Sequence, residues 1–216
     1  MRVRYSKIGV FAACLGPLAY LAWRAVTQGL GADPVNTITH FTGAWTIAFL
    51  LLTLAITPLR RLTRQYQLIQ YRRMLGLFAF FYGCLHFLTW VVLDKVLALQ
   101  ALGSLNVSSL LQQMAADIGK RPYITMGMLG LGTMLPLALT STQGSIRRLG
   151  KRWQALHRLI YVSAAAGVVH YWWLVKADTF WPKMCALCLG VLLLARVALR
   201  AQKRRPAAGN AAGKPN

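Results

Sequence analysis

Six stretches of the chain are almost continuously apolar, at 8–23, 41–59, 74–93, 123–140, 156–175 and 181–199, separated by short polar or basic segments. A helix needs about 20 mainly apolar residues to cross a bilayer, so each stretch predicts a span. The expected fold is all-α, an integral membrane bundle of six transmembrane helices. Basic residues precede the first stretch, as in a signal peptide, but no small-residue cleavage site follows it, so it reads as a retained span. Arg196 lies near the end of the sixth and is expected to snorkel to the interface. The longest polar stretch, 94–121, predicts a short helix capped by Ser108 or Ser109, with Leu110, Leu111, Met114 and Ile118 on one side. Such a helix suits the outer membrane surface. Residues 1–200 form one transmembrane domain, and 201–216, basic and rich in Ala, Gly and Pro, read as a disordered tail.

Composition sharpens this picture. The chain has 216 residues, 56% of them hydrophobic, with 25 Lys and Arg against 4 Asp and no Glu. A charge of +21 alone would fit either a nucleic-acid binder or a membrane protein. A mean hydropathy of +0.46 excludes the first, because a small soluble domain cannot bury so much apolar surface. Water-soluble enzymes and secreted disulfide scaffolds are excluded with it. With the N-terminus inside, inner segments hold 19 basic residues and no acid, whereas outer segments hold six basic residues and all four Asp. Basic residues stay on the cytoplasmic side of a membrane protein, so both termini are expected in the cytoplasm.

The candidate chemistry lies inside the spans, where ionisable residues are costly and hence functional suspects. No Asp, Glu or Lys occupies a span centre, which argues against a carboxylate proton relay or an ion-coupled transporter. Histidine is there instead. His86 sits mid-span in the third stretch, and His170 lies at comparable depth in the fifth. Neutral imidazole can sit in an apolar span and offer a lone pair to iron, so the pair is a candidate bis-histidine haem site. His157 lies about 20 Å inward of His170 along an ideal helix, which leaves room for a second haem. The 13-residue offset turns these two rings about 140° apart. Facing one neighbour would need an irregularity near Gly167, or else different partner helices. At the depth of His157 the third stretch offers Arg72 and Arg73, suited to a haem propionate or a flavin phosphate. His40, at an outer edge, reads as structural.

Other motifs are weak. Cys185-x-x-Cys188 lies in an apolar span and reads as packing. No Cys-x-x-Cys-His occurs, so a bound haem would be b-type. No GxGxxG or Walker A loop occurs, so nicotinamide or ATP would bind another protein. The basic clusters at 60–73 and 147–158 read mainly as topology signals.

A series of blocks then carries a resemblance: Gly29-Leu-Gly-Ala-Asp-Pro-Val35, His40-Phe-Thr-Gly43, Ile56-Thr-Pro-Leu59, Arg72-Arg-x-Leu-Gly76 and Arg121-Pro-Tyr123. Thr140-Ser-Thr142, Leu149-Gly-Lys-Arg-Trp153, Leu156-His157 and His170-Tyr171 continue it. In this order they resemble the MsrQ (YedZ) family of haem-binding membrane subunits, within the ferric-reductase-like transmembrane group. The resemblance covers nearly the whole chain up to the tail. It implies a cytochrome b of the bacterial inner membrane that binds haem b and FMN. Its role would be non-catalytic, passing electrons from the quinone pool to a periplasmic molybdenum protein, MsrP, that repairs methionine sulfoxide. It also implies His86, His157 and His170 as haem ligands. Relatives with two haems carry a second histidine where Arg72 or Arg73 stands here. Two other readings are a stand-alone ferric or cupric metalloreductase and a haem-free scaffold or transporter. No nucleic-acid partner is expected, on the hydropathy given above.

Overall fold

Hydrocarbon offers backbone groups no water, so a spanning chain must satisfy them within itself, most simply as helix. The computed structural model describes residues 2–204, with side chains described from 6 to 202. Residues 201–204, expected to open the disordered tail, continue α10 as helix, and the rest of that tail, 205–216, lies outside the described residues. The regular structure among the described residues is helical: α1 (Arg2–Thr27), α2 (Pro34–Leu62), α3 (Ile69–Leu88), α4 (Leu97–Ala101), α5 (Val107–Lys120), α6 (Pro122–Leu139), α7 (Gln143–Leu149), α8 (Lys151–Leu156), α9 (Leu159–Leu174) and α10 (Phe180–Arg204). A 3₁₀ turn, Tyr66–Leu68, leads into α3, and a π-helical segment, Thr89–Val96, joins α3 to α4.

Among the described residues, five helical runs are long and apolar enough to cross a membrane: α1, α2, the continuous run Tyr66–Ala101, α6 and α10. The stretch expected as the fifth span is different. Its helix, α9, has 16 residues, about 24 Å at 1.5 Å per residue against a hydrocarbon core of about 30 Å. His157 and Arg158 form a turn that separates it from α8. It packs among α2, α6 and α10, burying Ser163, Ala164, Ala166 and Val168.

Local chemistry sets the helix ends. The Asp33 carboxylate accepts the Asn36 amide at 3.0 Å, and Pro34 opens α2 without an amide to satisfy. The cap of α5 is Asn106, just before the expected serines. Asn106 Oδ1 accepts Ser109 N–H at 2.7 Å, and Ser109 Oγ accepts Asn106 N–H at 3.2 Å. Gly150, at φ +50°, makes the bend between α7 and α8 that a side chain would resist.

Proline leaves defects inside the spans, and polar side chains from other helices repair them. Pro58 has no N–H to give the Leu54 carbonyl four residues back. Arg196 of α10 fills that role. Its Nε and Nη2 donate to Leu54 O at 3.2 and 2.5 Å, and Nη1 donates to Tyr161 Oη at 2.7 Å. Arg196 is only 7% exposed, so it does not snorkel; the unpaired carbonyl holds it inside. Beside Pro17 of α1, the Tyr82 hydroxyl enters the helical ladder. It accepts Leu18 N–H at 3.1 Å and donates to Cys14 O at 3.0 Å. Threonines in α2 satisfy their own hydroxyls on carbonyls one turn back, as in Thr53 Oγ1 to Phe49 O at 2.7 Å.

Packing follows small residues and aromatic rings. Phe49 of α2 stacks on Tyr82 of α3 at 5.3 Å between centroids, beside the fully buried Ala79 and Leu54. Gly130 of α6 lies against the α9 backbone: a Cβ there would sit 3.5 Å from Ser163 O and 3.7 Å from Gly167 N. Thr133 and Ser163 hydroxyls join across the same seam at 2.8 Å. Close approach of this kind is the usual basis of helix association in lipid. Helix α5 is tied to the bundle by Lys95, which bridges Asp117 at 2.5 Å and Asp94 at 3.0 Å. Leu110, Met114 and Ile118 are half-buried, whereas Leu111 is 60% exposed.

Two outcomes follow. Tyr82→Phe should lower stability by about 1–3 kcal/mol, read from unfolding in mixed detergent. Arg196→Met should cost about 2 kcal/mol, and adding Pro58→Ala should recover part of it, because alanine restores the missing N–H. A double variant no more stable than Arg196→Met would refute the repair role.

Candidate functional site

Two cavities lie one above the other in the bundle. The outer one, about 680 Å³, is lined by α2, α3, α6 and α9 and contains both His86 and His170. It falls within the roughly 300–1,000 Å³ typical of ligand pockets. Most of its wall is apolar, with Leu50, Leu131, Met128 and Met134, while His40, Arg121, Asn36, Asp33 and Asp94 stand among its polar lining. The two imidazoles face one another with ring centroids 5.9 Å apart and planes at 79°.

Each ring is tied by one nitrogen. His86 Nδ1 donates to Thr39 O of α2 at 2.9 Å, and His170 Nδ1 donates to Tyr123 O of α6 at 2.6 Å. A carbonyl can only accept, so both rings carry their proton on Nδ1. Neutral imidazole then has its lone pair on Nε2, the form in which histidine binds a metal. The Thr89 hydroxyl donates to His86 O at 2.7 Å where the π segment begins, and π-helical turns are common at functional sites.

The inner cavity, about 520 Å³, has a different chemistry. Arg72, Arg73, His157, Arg158, Arg196 and Arg200 line it, with no carboxylate among the lining residues. Arg72 is half-buried and Arg73 is exposed. His157 stacks on Trp153 at 3.9 Å between centroids, and its Nε2 lies 3.2 Å from Thr140 Oγ1. That hydroxyl gives its own hydrogen to Pro136 O at 2.6 Å, so the ring nitrogen is the donor. The opposite nitrogen of His157 therefore carries the lone pair, in contrast to His86 and His170. An anionic group bearing carboxylate or phosphate suits such a wall of guanidinium groups.

The sequence residues thus separate into two groups. His86 and His170 come together, as their matched depths require. His157 joins Arg72 and Arg73 in the other cavity. The irregularity between His157 and His170 is the turn at 157–158, while α9 stays helical through Gly167; both rings meet α6, His170 at Tyr123 and His157 at the C-cap Thr140. His40 lines the outer cavity with the two paired histidines. Cys185 packs beside the core and Cys188 is exposed, and both are free thiols. Of the glycines near the histidines, Gly127 lies against the His170 ring and Gly130 against α9, while Gly132 has nothing nearby. Arg196 and Gly43 had no assigned role in the site from sequence. The signal for the first was Pro58, whose defect needs a donor.

Known proteins resemble this chain over most of its length. The ferric reductase like transmembrane component model matches residues 42–168, a segment that includes His86 and His157 and stops just short of His170. The chain belongs to the MsrQ family within this group. It is 48% identical to the protein-methionine-sulfoxide reductase heme-binding subunit MsrQ of Herminiimonas arsenicoxydans, over 92% of this chain and 87% of that one. The subunit of the same name from Xanthomonas euvesicatoria pv. vesicatoria (strain 85-10) is 46% identical, over 94% and 90% of the two chains. That from Rhodospirillum rubrum is also 46% identical, over 94% and 93%. Relatives at this distance over nearly full length share the bundle, and the matched segment begins and ends on the helices that wall the outer cavity.

Proposed function

We propose that this protein is a haem b electron-transfer subunit of the bacterial inner membrane, with both termini cytoplasmic and α9 completing six spans. It carries electrons from the quinone pool to a periplasmic molybdenum-containing methionine sulfoxide reductase, MsrP, for repair of oxidised proteins. The observation that carries this reading is the His86–His170 pair, two imidazoles facing across an apolar cavity with both Nδ1 protons held by carbonyls.

The residues fit a haem. Two imidazoles with centroids 5.9 Å apart, each tied through Nδ1 to a carbonyl, would be the residues to hold its iron through their other nitrogens. Among the described residues no group of three or more His, Cys, Asp or Glu gathers. Iron held by this pair would take its remaining ligands from the group that carries it, as a porphyrin supplies them. Haem supplies one-electron chemistry between ferric and ferrous iron. The protein supplies two oriented nitrogens, hydrogen bonds that raise their basicity, and apolar walls that exclude water. Arg121 and His40 can hold carboxylates at the polar part of the cavity. Inside, Arg72 and Arg73 can hold the propionates of a second haem or the phosphate of FMN, with His157 as the adjoining imidazole.

His86→Ala or His170→Ala should remove most of the reduced-minus-oxidised cytochrome b band from purified protein. Full haem retention in both variants would sink the reading, and a wild type with no such band would favour a haem-free scaffold or transporter. Arg72→Gln combined with Arg73→Gln should deplete the inner ligand, haem or flavin, and leave the His86–His170 spectrum in place. In liposomes with reduced quinone, the protein should drive sulfoxide reduction by the added molybdenum subunit. Equally fast reduction of chelated Fe(III) without that subunit would favour the stand-alone metalloreductase.

A further inference from the structure

The two imidazoles are seated by the same local device on different helices. In each case the accepting carbonyl lies 47 residues before the histidine, Thr39 for His86 and Tyr123 for His170. In each case the residue four positions after that carbonyl is glycine, Gly43 or Gly127, and the glycine lies against the ring. Helix geometry makes the coincidence meaningful. Position i+4 sits directly above the carbonyl of residue i, and its Cβ leans back toward the helix N-terminus, over that carbonyl. An imidazole approaching the carbonyl from a neighbouring helix must pass through the volume that this Cβ would fill. The distances bear this out. A Cβ on Gly43 would come 3.0 Å from His86 Cε1 and 3.1 Å from its Nδ1, and one on Gly127 would come 2.9 Å from His170 Nδ1.

We propose that Gly43 and Gly127 are positioning residues for the paired histidines. By lacking a Cβ they let each ring lie on its helix, keep the Nδ1–H bond to the carbonyl one turn back, and aim Nε2 at the other ring. Neither ring can retreat freely from an added methyl, since its own helix holds it from behind. The methyl must turn or lift the ring, lengthening the Nδ1–H···O bond and changing the angle between the ring planes. The inference rests on the haem reading for its redox consequence, but the seating of the rings does not need haem.

The tests use Gly43→Ala and Gly127→Ala, with Gly132→Ala as a control because nothing lies near its Cβ. In haem-free protein labelled with ¹⁵N-histidine, the Nδ1 proton of the facing ring should lose its protection from exchange in each variant, and the other ring should keep it. In haem-loaded protein the electron paramagnetic resonance signal of the low-spin ferric centre should move, because its largest g-value depends on the angle between axial ring planes. The control should match wild type in both measurements. Unchanged proton protection together with unchanged g-values in both alanine variants would overturn the proposal. A wild type without a low-spin signal would count against the haem reading alone, leaving the nitrogen measurement to decide this one.

A variant that binds no haem is decided by a tether-free background. In His86→Gly protein supplied with imidazole, the free ring can shift away from a methyl, so adding Gly43→Ala should leave the restored signal unchanged. If Gly43→Ala abolishes the signal there too, the glycine acts through helix packing and the proposal fails.

Discussion

A bilayer interior gives polar groups no solvent to fall back on, and many of the polar side chains in these spans answer that constraint. The donors go to carbonyls or hydroxyls of another helix, or to carbonyls one turn back on their own. Arg196 repairs the carbonyl that Pro58 leaves unpaired, and Tyr82 is inserted into α1 beside Pro17. The imidazoles obey the same rule. With Nδ1 held by a backbone carbonyl, each ring is fixed as one tautomer, and Nε2 is the nitrogen that can bind metal. The requirement that stabilises the bundle also prepares the site.

Small residues determine where helices approach closely enough for such bonds. Gly130 brings α6 onto α9, Gly167 faces Ile47 and Leu50 of α2, and Gly83 faces Thr46 and Leu131. These contacts frame the outer cavity from two helix pairs, α2 with α3 and α6 with α9, each supplying one histidine from one helix and its carbonyl from the other. The chain shows no overt repeat, yet both pairs arrive at the same offset between carbonyl and ring.

The two cavities divide the chemistry by charge. The outer one is apolar around two imidazoles, with polar residues of both signs in its lining. The inner one concentrates guanidinium groups with no carboxylate beside them, so an acidic ligand would relieve the repulsion there. The positive surplus along the chain therefore has two parts. Most of it marks the cytoplasmic side in the proposed topology, and a subset, Arg72, Arg73 and Arg196 among them, faces an interior space. Placement of His157 in this second environment, with its Nε2 turned to Thr140, separates it chemically from the outer pair.

Much of this was written in the sequence. Apolar runs of spanning length, the side-to-side charge bias and the absence of span-centre acids established an all-helical membrane protein with histidine as its candidate chemistry. Matched depths within two runs paired His86 with His170, because depth along a helix is linear in residue number. Quantities that depend on rotation and on neighbours were not legible. The shortness of α9 depends on a turn at 157–158 that no proline or glycine announces. Arg196 reads as a snorkelling residue until α10 is laid against the defect at Pro58. Gly43 and Gly127 look like any small residues on a helix until an imidazole from another helix is found against them. Residue order sets composition, span and depth, which are properties of one helix in lipid. Only tertiary packing decides which donor meets which carbonyl, because that pairing is made between helices distant in the chain.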